Sequence, residues 1–391
     1  MGTIAEKLTA VANSKADIAS AITYKGGTVP TKFADYGDAI RALPPPSPTP
    51  PPSLITKSIT QNGTYDASDD GADGYSEVTV NVSGGGGSNE LFKKMATRQT
   101  SPTWTVSESD LAGATKIGES AFRDCTGLTS VTLPNTITEI RDYAFENSSI
   151  SNFTIPSSVT SIGSRAFARC ESLTSVTIPS GVGEIYVQTF YQCENLASVT
   201  IPNTVVWIDN GAFESCSALT SITIPNSVTI IDERAFYDTG LQSITIPNSV
   251  VNVGGYLFRN CRSLQSATIG SGLTEIPLGC FYDCISLRSV TIGSGVTSIG
   301  SSVFYNTGLN SITIPDNVTS IGYQAFSQSI GLTTIDFGTT RSSVPTLVNV
   351  NAFTNLPANY QILVPSALLT DWKAANKWNN SAIVDHIVAH P

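Results

Sequence analysis

Charged residues are scarce in this sequence, and the basic ones do not cluster. Asp, Glu, Lys and Arg make up 13% of the 391 residues, and 31 acidic residues outnumber 21 basic ones. Proteins that bind nucleic acid or anionic membranes present concentrated basic patches, so this composition argues against both kinds of partner. Because 40% of the residues are hydrophobic, the low charge also argues against disorder over most of the chain.

Long apolar runs are absent as well, since none approaches the roughly 20 residues of a membrane-spanning helix. The segment from Met1 to Glu6 lacks the basic region and the apolar stretch of a secretory signal, and Glu6 stands where a myristoylation motif needs Ser or Thr. We therefore expect no membrane insertion, and no export that this sequence itself directs through the Sec pathway.

Histidine occurs only twice, as His386 and His390. Any Ser-His-Asp or Cys-His relay would have to include one of these residues near the chain end. Their i, i+4 spacing would suit a metal ion, but such a pair is more typical of a solvated tail. We predict that the protein is not an enzyme and carries no cofactor.

A regular repeat fills most of the chain. Within one unit, the stretch from Leu173 to Ile178 alternates apolar residues with Ser175 and Thr177, and a second short apolar stretch follows at 182–185. This pattern predicts a solenoid whose stacked coils bury their phenylalanines and leucines in one elongated core. The phenylalanines recur every 22 or 23 residues, at positions 122, 145, 167, 190, 213, 236, 258, 281, 304 and 326.

Six of the seven cysteines lie three residues after a repeat phenylalanine, and Cys280 directly precedes Phe281. Stacked coils bring neighbouring cysteines within reach of one another, but side chains of a parallel ladder point the same way, which is poor geometry for a disulfide. We predict buried free thiols, with a bridge between Cys280 and Cys284 as the alternative. The six are Cys125, Cys170, Cys193, Cys216, Cys261 and Cys284.

These repeats resemble the BspA-like leucine-rich repeat family. Its Leu-x-Ser-Ile-x-Ile-Pro, Val-x-x-Ile-Gly and Ala-Phe-x-x-Cys elements occur almost verbatim across residues 114–338. The resemblance implies a curved, β-rich solenoid with a role in adhesion or surface recognition. We predict a leucine-rich-repeat solenoid over residues 91–338, with about ten coils of 22–23 residues and short helical turns.

The segments on either side of the solenoid have different compositions. Residues 339–391 resemble the closing segment of such proteins, and we expect them to cap the last coil, which would otherwise expose its core and strand edge. The capping side chains would be Leu368, Leu369, Trp372 and Trp378. The preceding segments are predicted as a helical anchor or assembly segment at 1–43, a proline-rich linker at 44–54, a small β module at 55–83 and a glycine-rich hinge at 84–90.

An acidic loop within the β module matches the oxygen spacing of an EF-hand calcium loop. However, Asp73 stands where that loop needs an apolar anchor, and its flanks resemble strands, so an acidic hairpin turn is the favoured interpretation. The protein is therefore predicted to have no metal site, with calcium binding at this loop as the alternative. The matching oxygen ligands are Asp66, Ser68, Asp70 and Glu77.

Differences between the repeats indicate where a ligand would bind. The outward strand position is threonine in nine coils, at 132, 154, 177, 200, 223, 245, 268, 291 and 313, and so carries little specificity. Variation gathers instead around the phenylalanine turns, where aromatic residues with polar neighbours are suited to stacking on sugars or contacting proteins. Shielding of the coil junctions is the alternative role. The predicted ligand-binding residues are Tyr143, Tyr186, Tyr191, Trp207, Tyr237, Tyr256, Tyr282, Tyr305 and Tyr323.

The N-terminal segments bear on the function. Residues 15–22, 33–40 and 62–82 resemble modules of bacteriophage tail and fibre proteins. This second resemblance predicts a virion-attached host-recognition protein, similar to a tail fibre, that binds a host cell-surface glycan or protein. Residues 1–43 would then bind other virion or tail proteins, or further copies of the chain. The alternative is a bacterial cell-surface adhesin of the BspA-like family, and a glycan-degrading enzyme is a third hypothesis.

Overall fold

A computed structural model describes residues 103–391. These residues form a β-solenoid of about 12 turns with little helix, which confirms the predicted leucine-rich-repeat solenoid. The predictions for residues 1–102, which include the helical anchor, the linker, the β module with its acidic loop and the hinge, lie outside the described residues.

Most coils contribute one strand to each of two rows of parallel strands, here called ladders, and each ladder is divided into several sheets. The strands are numbered β1 to β23 along the chain. The first ladder consists of β1 Trp104–Val106, β3 Leu128–Val131, β5 Asn152–Phe153, β7 Ser175–Thr177, β9 Ser198–Thr200, β12 Ser243–Ile246, β14 Ser266–Ile269, β16 Ser289–Thr291, β18 Ser311–Thr313, β20 Thr334–Asp336, β22 Gln361–Val364 and β23 Ile387–Ala389. The second consists of β2 Lys116–Ile117, β4 Glu139–Ile140, β6 Ser161–Ile162, β8 Glu184–Ile185, β10 Trp207–Ile208, β11 Ile230–Ile231, β13 Asn252–Val253, β15 Glu275–Ile276, β17 Ser298–Ile299, β19 Ser320–Ile321 and β21 Thr346–Leu347.

The first ladder keeps the same register between most neighbouring coils, apart from a shift between Trp104 and Thr105 where β1 pairs with β3. Val176 pairs with Val199, and Thr177 pairs with Thr200. The valines are buried and the threonines are exposed, as the alternating sequence predicts. A slip of one residue would send the apolar side chains outward, so burial of one face maintains this register.

The repeat phenylalanines form one continuous stack inside the solenoid. Each ring from Phe122 to Phe353 lies 5.1–5.8 Å from the next, measured between centroids, with interplanar angles of 4–16°. Those from Phe122 to Phe326 are fully buried. Because each ring fills space that its neighbours would otherwise leave empty, the stack holds successive coils at a constant spacing.

The segments around these phenylalanines are hydrogen-bonded turns. Around Phe167, Arg165 and Arg169 have positive φ angles of 55° and 58°, which a right-handed helix does not allow. With this backbone conformation, the Phe167 N–H donates to Thr189 O of the next coil, 3.0 Å away. The turns therefore form a third set of bonds between coils. Within residues 103–391, the last coil alone has a helical turn at this place, the 3-10 helix Val350–Phe353.

The cysteines three residues after the phenylalanines are buried free thiols, as predicted, and Cys280 and Cys284 form no bridge. Each of five such thiols donates to the carbonyl of the phenylalanine one coil earlier; Cys193 Sγ, for example, lies 3.0 Å from Phe167 O. Ser329 makes the same bond to Phe304 O at 2.7 Å. A small side chain that donates a hydrogen bond therefore suits the position three residues after the phenylalanine. Burial raises the pKa of the Cys216 thiol to about 12, so this thiol stays protonated and can donate.

The coil between β9 and β12 departs from the pattern. Its segment from Ser221 to Ile224 forms no strand, and Ile222 is half-buried where its counterparts Val199 and Ile244 are buried. A groove of about 480 Å³ opens on the outer surface at this point. The first ladder is therefore interrupted, although the phenylalanine stack continues beneath it.

The C-terminal segment covers the end of the core. It contains the 3-10 helices Ser366–Leu368 and Val384–His386 and one short α-helix, α1, at Leu369–Ala374. Trp372 and Trp378 are fully buried, and Leu368 and Leu369 pack against the core. A further 3-10 helix, Glu108–Leu111, lies near the other end of the described residues, with a capping box between Ser107 and Asp110.

The prediction of a solvated histidine tail is wrong. β23 pairs in parallel with β22, which fixes the last residues of the chain onto the first ladder. The His386 ring stacks on Tyr360 with centroids 3.8 Å apart, and its Nδ1 lies 2.9 Å from Tyr360 O. His390 Nε2 lies 3.5 Å from Asp336 Oδ1. The two histidines therefore contact different partners rather than one another.

Candidate ligand-binding face

The phenylalanine turns present two outward columns of side chains, from the residue directly after each repeat phenylalanine and from the residue two before it. We call these two columns the turn face. Their positions repeat at every coil because neighbouring turns are bonded through their backbones. Six of the nine predicted ligand-binding residues belong to it: Tyr143, Tyr191, Tyr237, Tyr256, Tyr282 and Tyr305.

The N-terminal part of the turn face contains a charged cluster built around Glu146. This carboxylate is 3% exposed and lies between two arginines from the neighbouring coils, with 2.8 Å to Arg123 Nε and 2.6 Å to Arg165 Nη2. Both guanidinium groups also lie over the Tyr143 ring, at 5.2 and 5.7 Å from its centroid. The arginines balance the buried charge, and the tyrosine covers them.

The C-terminal part contains the densest group of aromatic residues. The Arg259 guanidinium lies 4.8 Å from the centroid of Tyr282, 5.3 Å from that of Tyr256 and 5.9 Å from that of Tyr237. Tyr282 in turn stacks on Tyr305, with centroids 4.6 Å apart and an interplanar angle of 8°. Burial and, to a smaller extent, the nearby Asp283 carboxylate raise the pKa of the Tyr282 hydroxyl, which therefore stays neutral near pH 7.

The other three predicted residues lie elsewhere on each coil. Trp207 is half-buried on β10. Tyr186 and Tyr323, 37% and 40% exposed, follow the second ladder at the approach to the turn. Tyr186 borders a groove of about 420 Å³ beside Gly163, where a side chain would collide with the backbone of Asp142.

Sequence reasoning missed the arginines of the turn face. Arg123, Arg165, Arg234 and Arg259 occupy the same two columns as the tyrosines, and each lies within 6.0 Å of at least one tyrosine centroid. The coil-by-coil comparison that found the tyrosines contained this signal, because the arginines recur at the same offsets from phenylalanine. The face is thus a mixture of tyrosine and arginine, the residue types most enriched at the energetic centres of binding sites.

Asp209, at the approach to the turn, has an unusual ionisation. Burial, partly offset by the Asn210 N–H at 2.6 Å, raises its pKa from 3.8 to about 6. The folded state then holds this proton more tightly than the unfolded chain, so stability falls as pH rises from about 4 to about 6. We expect Asp209→Asn to raise the free energy of unfolding at pH 7.5, by on the order of 1 kcal/mol, and to change it little at pH 4. Urea unfolding at both pH values measures this.

Asp142→Asn is the matched control for that substitution. Asp142 is exposed, and its Oδ1 likewise accepts a backbone hydrogen bond, from Ser164 N at 2.7 Å. It should not reproduce the pH-dependent gain. An equal gain from Asp209→Asn at both pH values would contradict the role given to burial.

Metal-ligating side chains and thiols were the remaining candidates for reactive groups among the described residues. In residues 103–391, no three His, Cys, Asp or Glu side chains are grouped to hold a metal ion. The same residues include no helix with the length and apolar character needed to cross a membrane. Burial raises the pKa of the Cys170 thiol to about 12, which keeps it in its unreactive form.

Two overlapping stretches, residues 105–220 and 207–333, match the family model described as BspA type leucine rich repeat region. Together they span residues 105–333, which is more than half of the 391-residue chain. The chain belongs to the BspA-type leucine-rich repeat family. Proteins of this family are typically bacterial surface proteins, and such solenoids typically bind ligands without catalysing reactions.

Several solved structures are similar to this BspA-type protein. A leucine-rich repeat protein from Bacteroides ovatus ATCC 8483 is 25% identical, with a TM-score of 0.47 over 73% of this chain and 84% of that chain. A leucine rich cell surface protein from Faecalibacterium prausnitzii A2-165 is 28% identical, with a TM-score of 0.39 over 70% and 86%. The T. pallidum leucine rich repeat protein is 29% identical, with a TM-score of 0.36 over 38% and 70%. A comparison with curated proteins gives no match.

The family match does not support the predicted attachment to a virion. It begins at residue 105, after the segments that resemble phage tail and fibre modules. The alternative, a bacterial cell-surface adhesin, agrees better with membership in the BspA-type family.

Proposed function

We propose that this BspA-type protein is a bacterial cell-surface adhesin that binds its ligand along the turn face. The observation that carries the proposal is the alignment of Tyr191, Tyr237, Tyr282 and Tyr305 in a single column, with arginines between and beside them. The backbone bonds between turns fix this column before any ligand arrives, so little conformational entropy is lost on binding. Family membership supports a role in surface recognition.

The threonine column of the first ladder is a weaker candidate surface. Its members are exposed, but they are the same residue in nine coils and offer one kind of hydroxyl contact. Selective recognition needs groups that differ in shape and charge along the surface. The turn face has such differences, because tyrosine, arginine and glutamate all occur on it.

Simultaneous replacement of Tyr191, Tyr237 and Tyr282 by alanine tests the proposal. Loss of three rings from one binding surface should weaken binding at least about 30-fold, because aromatic residues at the centre of an interface commonly contribute 2 kcal/mol or more. Binding of the labelled protein to a panel of host cells and to a glycan array measures the effect. Circular dichroism should show an unchanged fold, since the three side chains lie outside the phenylalanine stack.

A matched variant changes three residues on the first ladder, Thr177, Thr200 and Thr223, to alanine. This variant should bind like the wild type, because the substitutions leave the turn face intact. If the tyrosine variant binds cells and glycans as tightly as the wild type, the ligand does not use the turn face.

A second candidate is a virion-attached host-recognition protein. The resemblance of residues 15–22, 33–40 and 62–82 to phage tail and fibre modules favours it. Mass spectrometry of purified phage particles and antibody labelling of intact bacteria separate the two candidates. Labelled cells and particles without the protein would support the adhesin, and the reverse result would support the virion protein.

A further inference from the structure

Arg259 is held by tyrosine rings and has no hydrogen-bond acceptor among residues 103–391. The Arg259 guanidinium carbon lies over the Tyr237, Tyr256 and Tyr282 rings, whose faces attract a cation. A guanidinium group is planar, and its five N–H bonds lie in that plane and point outward from its edge. Contact with the rings therefore supplies no acceptor oxygen for these donors.

No described residue accepts a hydrogen bond from Arg259 or forms an ion pair with it. Its Nε is buried and has no hydrogen-bond partner, as is also true of Arg165 Nε. Arg123 occupies the equivalent position, directly after a repeat phenylalanine, and has the Glu146 carboxylate of the next coil at 2.8 Å. At the same place in the coil after Arg259 stands Tyr282. The fold thus supplies a carboxylate at one site and omits it at the other.

We propose that Arg259 binds the acidic group, a carboxylate or a sulfate, of a saccharide ligand. This inference rests on the proposed function, because it assigns a chemical class to the ligand of the turn face. Two parallel N–H donors of arginine match two oxygens of a carboxylate or sulfate. The tyrosines hold the guanidinium in place, so the bound ligand completes the arrangement that Glu146 completes within the chain.

The surroundings of Arg259 suit a saccharide. Asn260, Asp283 and Asn306 lie side by side in consecutive turns, two residues after each phenylalanine, and provide planar polar groups for hydroxyls. Asn260 Nδ2 donates to Tyr237 Oη at 3.0 Å, and Asn306 Nδ2 donates to Asp283 Oδ1 at 2.7 Å, which leaves the Asn260 and Asn306 amide oxygens as acceptors. These groups repeat from coil to coil, as the units of a polysaccharide do.

The net charge of the chain allows binding at Arg259 to be distinguished from a nonspecific attraction between the protein and polyanions. The formal net charge is −10, so the protein as a whole repels polyanions. Binding of an acidic saccharide therefore requires a local cation, and loss of that cation should abolish the preference for acid.

Arg259→Gln is the first test, with pairs of probes that differ only in their acidic group. The pairs are 3′-sialyllactose with lactose, for a carboxylate, and dextran sulfate with dextran, for a sulfate. Wild-type protein should bind the acidic member of one pair at least ten-fold more tightly than the neutral member. The pair that shows this preference identifies the acidic group as a carboxylate or a sulfate. Arg259→Gln should remove that preference. Arg262→Gln removes the same charge from the same coil, at an exposed residue outside the turn face, and should keep the preference.

Tyr282→Glu is the second test, because it places a carboxylate where Arg123 has Glu146. The new side chain should pair with Arg259 and reduce binding of the acidic probe at least ten-fold, with unchanged thermal unfolding as the check on folding. The inference is overturned if wild-type protein binds both members of each pair equally, if Arg259→Gln keeps the preference, or if polyglutamate binds as tightly as the acidic saccharide.

These outcomes are separable from those of the proposed function. Loss of cell binding in the triple tyrosine variant, together with equal binding of acidic and neutral probes, would keep the turn face and reject Arg259 as an acid-binding residue. Unchanged cell binding in the triple variant would reject the turn face itself.

Discussion

Replacement of Phe213 by alanine should lower the free energy of unfolding by about 3–5 kcal/mol. Phe213 is fully buried and stacks on Phe190 and Phe236, each with its ring centroid 5.5 Å away. Alanine leaves a cavity between two coils that cannot close, because the backbone bonds from Phe213 N to Ala235 O and from neighbouring turns hold the spacing. Urea unfolding followed by circular dichroism measures the loss.

Phe213→Leu is the matched control, because leucine keeps much of the apolar volume and should cost less than the alanine variant. In a solenoid each coil contacts mainly its neighbours, so hydrogen exchange should accelerate first in the turns around Phe190 and Phe236. An alanine variant that is as stable as the leucine variant would show that the stack does not hold the coils together.

The phenylalanine period was sufficient to predict this core. A residue that recurs every 22 or 23 positions takes the same place in every coil, and a large apolar residue that recurs in this way is expected in the interior. Thr177 and Thr200 were likewise predictable as exposed, because strand alternation sets their direction. Both predictions depend on spacing along the chain alone.

The interruption at Ser221–Ile224 was not predictable in this way. Its sequence, Ser-Ile-Thr-Ile, is the same as that of β12, which is a regular strand. Whether a segment completes a ladder depends on how closely the coils on both sides approach it. Local sequence does not contain this information.

The environment of the arginines also depends on contacts between coils. Arg123 and Arg259 occupy the same position in the repeat, yet one has a carboxylate in the next coil and the other has a tyrosine. The sequence predicted the tyrosines as ligand-binding residues. That Arg259 lacks the ion pair of Arg123 is evident only from the spatial arrangement of the two columns. A uniform backbone with different side chains at equivalent positions allows this comparison, since each coil serves as a reference for the others.

Replacement of Trp378 by alanine should destabilise the C-terminal coils by about 3–5 kcal/mol. Trp378 is fully buried; its ring centroid lies 4.8 Å from that of Trp372 and 5.6 Å from that of Phe353, and its Nε1 donates to Pro345 O at 2.8 Å. The substitution removes both the ring contacts and the hydrogen bond that fasten the cap to the last coil. Hydrogen exchange should then accelerate in residues 346–391, and light scattering should reveal association, because an uncovered coil exposes its core and strand edges.

Trp378→Phe separates the two contributions of that residue. Phenylalanine keeps a ring against Phe353 but lacks the N–H, so it should lose about 1 kcal/mol for the hydrogen bond, plus the smaller contact area. The central coils should exchange as slowly in both variants as in the wild type, since a solenoid transmits a local loss mainly to adjacent coils. If Trp378→Ala instead accelerates exchange equally around Phe190 and Phe353, the solenoid unfolds as one unit and the cap stabilises all of it.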